Sequence, residues 1–290
     1  MKKILMLMPY FGKWPEWINL YIESCKYNPT IDWIFFTDCG EPDNKAENVK
    51  YVSMSLDEIS RLISIKTGVR ISLDNAYKLC DFKELYGMIF EDYTKGYDYF
   101  GFGDIDVIYG NIRKFVTDDI MEYDAISFNK NHVSGHFFLM KNIPKMINIC
   151  FILPNIKPLS LWRWLTFKRN LRKSEYISLD ESYLNHCLLE NHNISCHFSE
   201  SYNTPLSPHV KWVDGTFLFP KEWYFKNGKL TNDKDKDREF LYFHFMHWKG
   251  GRWARKYGNA QWEKLDKLIN FDFKDAENGF KINEKGFFMI

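Results

Sequence analysis

The chain lacks most of the features that would assign it quickly. None of its six cysteines, at positions 25, 39, 80, 150, 187 and 196, belongs to a C-x-x-C pair. That argues against a zinc framework and for a reduced compartment. No apolar run approaches the roughly 18–20 residues that a membrane span needs. The opening "MKKILMLMPYFGKW" sets two lysines before an apolar run, but Pro9 and Gly12 end it too early for the core of a signal peptide. Charge of one sign is missing too: 39 basic residues face 38 acidic ones, which speaks against a nucleic-acid partner. Repeats and low-complexity linkers are absent, favouring one compact domain. The expectation is a cytoplasmic protein, soluble or peripheral on the inner face of a membrane.

What is present is apolar and aromatic. Of 290 residues, 45% are apolar and 18% aromatic, with 25 Phe, 17 Tyr and 10 Trp. A chain of this kind buries a core and has rings left over for stacking or for facing sugars. Strands are expected at 3–8 ("KILMLM"), 32–37 ("DWIFFT") and 49–54 ("VKYVSM"), with helices between and after them, including one near 56–66. Asp74 is the expected cap of a further helix whose face is Leu79, Phe82, Tyr86, Ile89 and Tyr93, closed by Gly96. Strands at 123–128, 134–142 and 239–246 follow, and a helix starts near Asp180. The alternation predicts an α/β fold with a mainly parallel central sheet.

One stretch breaks its own pattern. "YDYFGFGDIDVIYG" at 97–110 reads as a buried strand until Asp104 and Asp106 interrupt it. In a strand, residues i and i+2 face the same side, so both carboxylates are expected to converge beyond its carboxyl end, the edge where open α/β sheets bind ligands. Two such acids raise each other's pKa unless a cation lies between them, and Mn²⁺ or Mg²⁺ would fill that place. The chain contains its own control: "NDKDKDRE" at 232–239 also holds D-x-D, but among lysines and without apolar neighbours, and reads as a solvated turn. Near the end of the late strand, His244, His247 and Lys249 offer an imidazole for the metal and an ammonium for a phosphate.

Together, the apolar strand, the D-x-D, a D-E pair before a helix and the late H…K resemble a GT-A glycosyltransferase. More closely, "KILMLMPYFGKWPEWINLYIESC", "LDNAYKLCDF", "GFGDIDVIYGNIRKF" and "SGHFFLMKN" resemble an uncharacterised glycosyltransferase-like group from bacterial capsule and O-antigen gene clusters. The resemblance spans most of residues 3–250. It implies a nucleotide-diphospho-sugar transferase fold in one catalytic domain, 1–255, with a nucleotide-binding half at 1–110 and an acceptor-side half at 111–255. Residues 256–290 are expected as a helix and tail.

The resemblance also implies roles. Pro9, Tyr10 and Phe11 would line the base pocket, with Tyr10 stacked on uracil, and Asp38 would lie near the base or ribose. Lys78 and Asp81 would face donor sugar and phosphate. Asp104 would reach the ribose or the metal, Asp106 would ligate the metal, and His244 would be its third protein ligand. Gly135 and His136 would border the donor sugar, and Lys249 would contact the diphosphate. Asp180 and Glu181 resemble the acidic pair such enzymes set beneath the sugar, though a helix start favours acids in any case.

The expected donor is a UDP-sugar and the acceptor a glycan or lipid-linked glycan. The basic, apolar segment 159–173 ("LSLWRWLTFKRNLRK") suits an anionic membrane surface. Two rivals remain at this point: a sugar nucleotidyltransferase, which would normally carry a glycine-rich N-terminal loop, and a non-catalytic carbohydrate-binding protein on the same fold.

Overall fold

The computed structural model describes residues 1–130, 132–151, 180–204, 211–249 and 262–290. Its centre is a seven-stranded sheet in the order β3-β2-β1-β4-β7-β6-β8. β1 (Ile4–Pro9), β2 (Ile31–Thr37), β3 (Val49–Ser53) and β4 (Tyr99–Gly103) all run parallel to one another, β1 pairing with β2 and β4 and β2 with β3. β7 (Phe137–Lys141) is antiparallel to both β4 and β6 (Ala125–Ser127), and β8 (Cys196–Phe198) is parallel to β6. The fold is mixed α/β with a mainly parallel central sheet, as the strand–helix alternation predicts.

Both faces of the sheet are covered, which is why its strands read as continuous apolar runs rather than alternating ones. In β1, Leu5 and Leu7 join one core cluster while Ile4, Met6 and Met8 join the cluster on the other face. Helix α1 (Ile18–Lys26) covers the second face with Ile18, Tyr21, Ile22 and Cys25. Helix α2 (Leu56–Thr67) covers the first with Ile59 and Ile63. The sequence specifies both ends of α2. Ser55 and Glu58 form a capping box, and Gly68 at φ 67° adopts the left-handed turn that a side chain would strain.

Two expected elements differ. The helix expected after Asp74 is capped by Asn75, whose side chain accepts from the Tyr77 N–H, and begins as a 3-10 helix, Ala76–Leu85, before short α-helical turns at Tyr86–Ile89 and Glu91–Thr94. Residues 262–290 are no helix and tail. Among them, short 3-10 turns precede a hairpin, β12 (Phe280–Asn283) and β13 (Gly286–Met289). β12 pairs with β9 (Glu222–Lys226), which in turn pairs with β10 (Lys229–Asn232), giving a four-stranded antiparallel sheet. The alternation Phe280, Ile282 and then Phe287 sends these side chains into a third core cluster with Trp223, Phe225, Phe243 and Trp248.

The site is positioned where strand ends meet. β4 and β7 are antiparallel with Gly103 opposite Phe137, so the residue before β7, His136, lies beside the residue after β4, Asp104. β5 (Val107–Tyr109) pairs with β11 (Tyr242–His244), setting His244 opposite Val107 and next to Asp106. Three chain segments distant in sequence thus deliver their polar residues to one place.

Candidate functional site

Asp104 and Asp106 do converge, but not through the two-residue period of a strand. β4 ends at Gly103 and β5 begins at Val107, so the acids lie in a bend between them. Three hydrogen bonds hold that bend. The Trp17 indole N–H donates to the Ile105 carbonyl at 2.9 Å, the Phe245 N–H to the Asp106 carbonyl at 3.1 Å, and the Asp104 N–H to the His136 carbonyl at 3.4 Å.

Asp106 is buried, and its two oxygens are divided. Lys249 Nζ lies 2.5 Å from Oδ2, and His244 Nε2 lies 3.4 Å from Oδ1. Burial alone would push this carboxyl up. The Lys249 ammonium and His244 outweigh it and hold the group well below the usual carboxylate range. The effect is mutual: burial would lower the Lys249 ammonium, but Asp106 raises it above its ordinary value.

Asp104 is the more open acid, and its partner is a residue that the sequence reading passes over. Lys83, buried in the 3-10 helix, donates to Asp104 Oδ1 at 2.9 Å and to the Gly135 carbonyl at 2.8 Å, with Nζ 5.5 Å from the centre of the Phe102 ring. The cations beside the acidic pair are therefore two lysines. Lys83 stands between Phe82 and Glu84 in a helix, where a lysine reads as solvated, so the sequence carries no signal for it.

The histidines stack. The rings of His136 and His244 are 4.3 Å apart and inclined by 26°. His136 Nε2 is 3.2 Å from Asn203 Oδ1, and burial, with His244 and Lys83 adding to it, holds this imidazole well below its ordinary pKa and therefore neutral. His244 Nδ1 faces the Thr204 hydroxyl at 3.2 Å, which leaves Nε2 facing Asp106 and, at 3.9 Å, Asp104 Oδ2. An N–H at Nε2 serves Asp106 in the free protein, whereas a bound cation would select the tautomer with its hydrogen on Nδ1 and the Nε2 lone pair aimed between the carboxylates.

Among the described residues, one group of donors is close enough to share a metal ion: Asp104, His136 and His244, whose ligand atoms lie within 4.8 Å of one another. Asp106 stands at its edge, turned in part to Lys249. The set differs from the expected Asp104, Asp106 and His244 by holding His136, which the resemblance assigns to the donor sugar, in place of Asp106. His247 is buried outside this group, its imidazole pushed down to about 4 by burial first and His244 second.

Gly135 separates this cluster from Glu181. A Cβ at Gly135 would meet Glu181 Oε1 at 1.6 Å, so the glycine is what lets the carboxylate lie against the backbone there. Glu181 is thus at the site. Asp180 opens the helix Asp180–Leu189, but its side chain lies outside the described residues, as does the whole basic segment 159–173.

The first loop divides. Tyr10 is half-buried, stacked on Trp14 at 5.1 Å and 7°, and within the fields of Lys249 and Asp106. Pro9 ends β1 opposite Phe36. Phe11 is buried in the main core with Leu79 and Phe82, where an apolar ring following a strand gains most from leaving water. Asp38 Oδ1 accepts the Gly12 N–H at 2.7 Å, tying the loop to the end of β2. Lys78 and Asp81 lie 3.9 Å apart and pair with each other. No helix among the described residues is long and apolar enough to cross a membrane.

No curated protein matches the sequence. Similar solved structures include a glycosyltransferase involved in the glycosylation of the major capsid of PBCV-1, 10% identical, with a TM-score of 0.41 over 88% of this chain and 97% of that one. Another is the galactosyltransferase LgtC in complex with donor and acceptor sugar analogs, 9% identical, with a TM-score of 0.40 over 69% and 75%. Likenesses of this size say nothing of substrate or chemistry. A family profile matches residues 6–287, nearly the whole chain, and the protein belongs to that family, the family of unknown function DUF6625.

Proposed function

We propose that this protein is a metal-dependent glycosyltransferase of GT-A type that moves a sugar from a nucleotide-sugar donor, a UDP-sugar, to a glycan or lipid-linked glycan in bacterial surface polysaccharide synthesis. The observation that carries the reading is the meeting of Asp104, Asp106, His136, His244 and Lys249 at the ends of β4, β7 and β11. Mixed carboxylate and imidazole donors suit Mn²⁺ better than Mg²⁺. When bound, the ion would neutralise charge on the leaving nucleoside diphosphate. Asp104, His136 and His244 would hold it, with Asp106 completing the set. Lys249 would take the diphosphate, and Lys83 would fix the orientation of Asp104. Transfer breaks the bond between the anomeric carbon and the diphosphate oxygen and forms one to the acceptor hydroxyl. In a direct displacement, Glu181 would receive that hydroxyl's proton.

The test is a panel of nucleotide sugars incubated with the protein and Mn²⁺, following release of nucleoside diphosphate. Release from one donor, lost on chelation, is the expected result; no release from any donor would refute the proposal. Formation of a nucleoside triphosphate from pyrophosphate would instead favour a sugar nucleotidyltransferase. One observation favours a second reading. Lys83 and Lys249 already balance the charge of both acids, as a non-catalytic carbohydrate-binding protein would require. Sugar binding that is indifferent to chelator, without turnover, would support it.

Gly135→Ala separates folding from transfer. The atoms its methyl would strike, Oε1 and Cδ of Glu181, are the far end of a flexible side chain, so the carboxylate is driven from its contacts there and stability falls by only about 1–2 kcal/mol. Turnover should nevertheless fall roughly a hundredfold as the base leaves its place. Thermal melting and steady-state release of nucleoside diphosphate measure the two effects independently.

A further inference from the structure

The two lysines on the acidic pair are held in different ways. Lys83 is enclosed by the Asp104 carboxylate, the Gly135 carbonyl and the Phe102 ring, and its side chain is 8% exposed. Lys249 follows the end of β11, meets Asp106 Oδ2 at 2.5 Å, and keeps 38% of its side chain open to solvent. One ammonium is locked in and the other has a way out.

We propose that Lys249 is a displaceable stand-in for the metal: it neutralises Asp106 in the free protein and leaves when a divalent ion arrives with a diphosphate. The inference rests on the metal-dependent reading above. An ammonium at 2.5 Å and a divalent ion on the same carboxylate repel each other at close range, where a partly buried site screens poorly. A diphosphate resolves the conflict, because it brings negative charge to the ion and offers the ammonium a new anion within reach of its four-carbon stem. Ion and diphosphate therefore bind with positive coupling, each strengthening the other by the same factor. Lys83 keeps Asp104 in both states.

The experiment titrates Mn²⁺ into the full-length protein, with and without UDP. It follows loss of the free-ion electron paramagnetic resonance signal, corrected for the complex that UDP itself forms with Mn²⁺. In the wild type, UDP should tighten Mn²⁺ binding at least about fivefold. Lys249→Gln should bind Mn²⁺ alone tighter than wild type by a similar factor, and the gain from UDP should shrink to the part due to the ion and the diphosphate alone. Lys249→Arg, which keeps the ion pair, should match the wild type in Mn²⁺ alone. Lys249→Met, retaining the alkyl stem, repeats the measurement if the glutamine variant fails to fold.

If the wild type takes up Mn²⁺ with UDP but neither neutral variant binds the ion alone more tightly, displacement is overturned and the metal reading stands. If no protein takes up Mn²⁺ under either condition, the metal reading falls and displacement falls with it.

Discussion

Asp106→Asn should reduce release of nucleoside diphosphate roughly a thousandfold, the largest effect expected of any single substitution. The exchange preserves shape and removes the charge on which Lys249 and His244 converge. Asn offers one oxygen and no net charge, so it neither ligates a divalent ion well nor restrains the lysine. Stability should change far less than activity. Lys249 can turn into solvent, so no cation is stranded in the interior, which is what usually makes breaking a buried pair costly. A variant that melts within a few degrees of wild type and has lost turnover fits this account. Retention of more than about a tenth of wild-type turnover contradicts the assignment of Asp106 to donor activation.

Lys83→Met should show the opposite balance, with stability lost as well as activity. Its ammonium satisfies two acceptors from different segments, Asp104 Oδ1 and the Gly135 carbonyl, and is almost wholly enclosed. Methionine fits the same channel but leaves the Gly135 carbonyl without this donor and Asp104 without its cation. Because Asp104 is partly exposed, water recovers some of the loss, and the net cost is about 2–3 kcal/mol. For a chain of this size that is a fall in Tm of roughly 5 °C. Thermal unfolding of the variant beside Lys78→Met provides the check. Lys78 lies in the same 3-10 helix, pairs only loosely with Asp81 at 3.9 Å, and should melt almost as wild type does. Equal Tm values for the two variants would remove the structural role given to Lys83.

These cases also mark how far the sequence could be read. The D-x-D, His244 and Lys249 were legible because each lies at the end of an apolar run, and ends of runs are ends of strands, whereas His136 came only with the family resemblance. Their convergence was foreseen by the wrong route: a bend, held by the Trp17 indole and the Phe245 N–H, aims the two acids rather than the pleat of a strand. Lys83 stayed hidden because a lysine in a helix normally reads as solvated, and only tertiary contact reveals one turned inward. The family resemblance set Phe11 in the base pocket beside Tyr10. Neighbours in a loop point different ways, and one ring went to the core while the other stayed half-exposed. The hairpin near the carboxyl end escaped because its strands are four residues long, too short for periodicity to separate them from a polar tail.

That hairpin bears on when the site can exist. β12 aligns β9, and Trp223 of β9 stacks on Phe243 at 4.5 Å, the residue before His244. Asp104, Asp106, His136, His244 and Lys249 are all translated before the strand that braces this stack leaves the ribosome. A nascent chain halted just after Lys249 would carry every donor atom without the support that holds His244 in register. A fragment cut near residue 255, which the sequence invites as a domain boundary, would reproduce that immature species: rich in ligands, unbraced, and with Trp223 and Phe243 missing the neighbours that keep them from water.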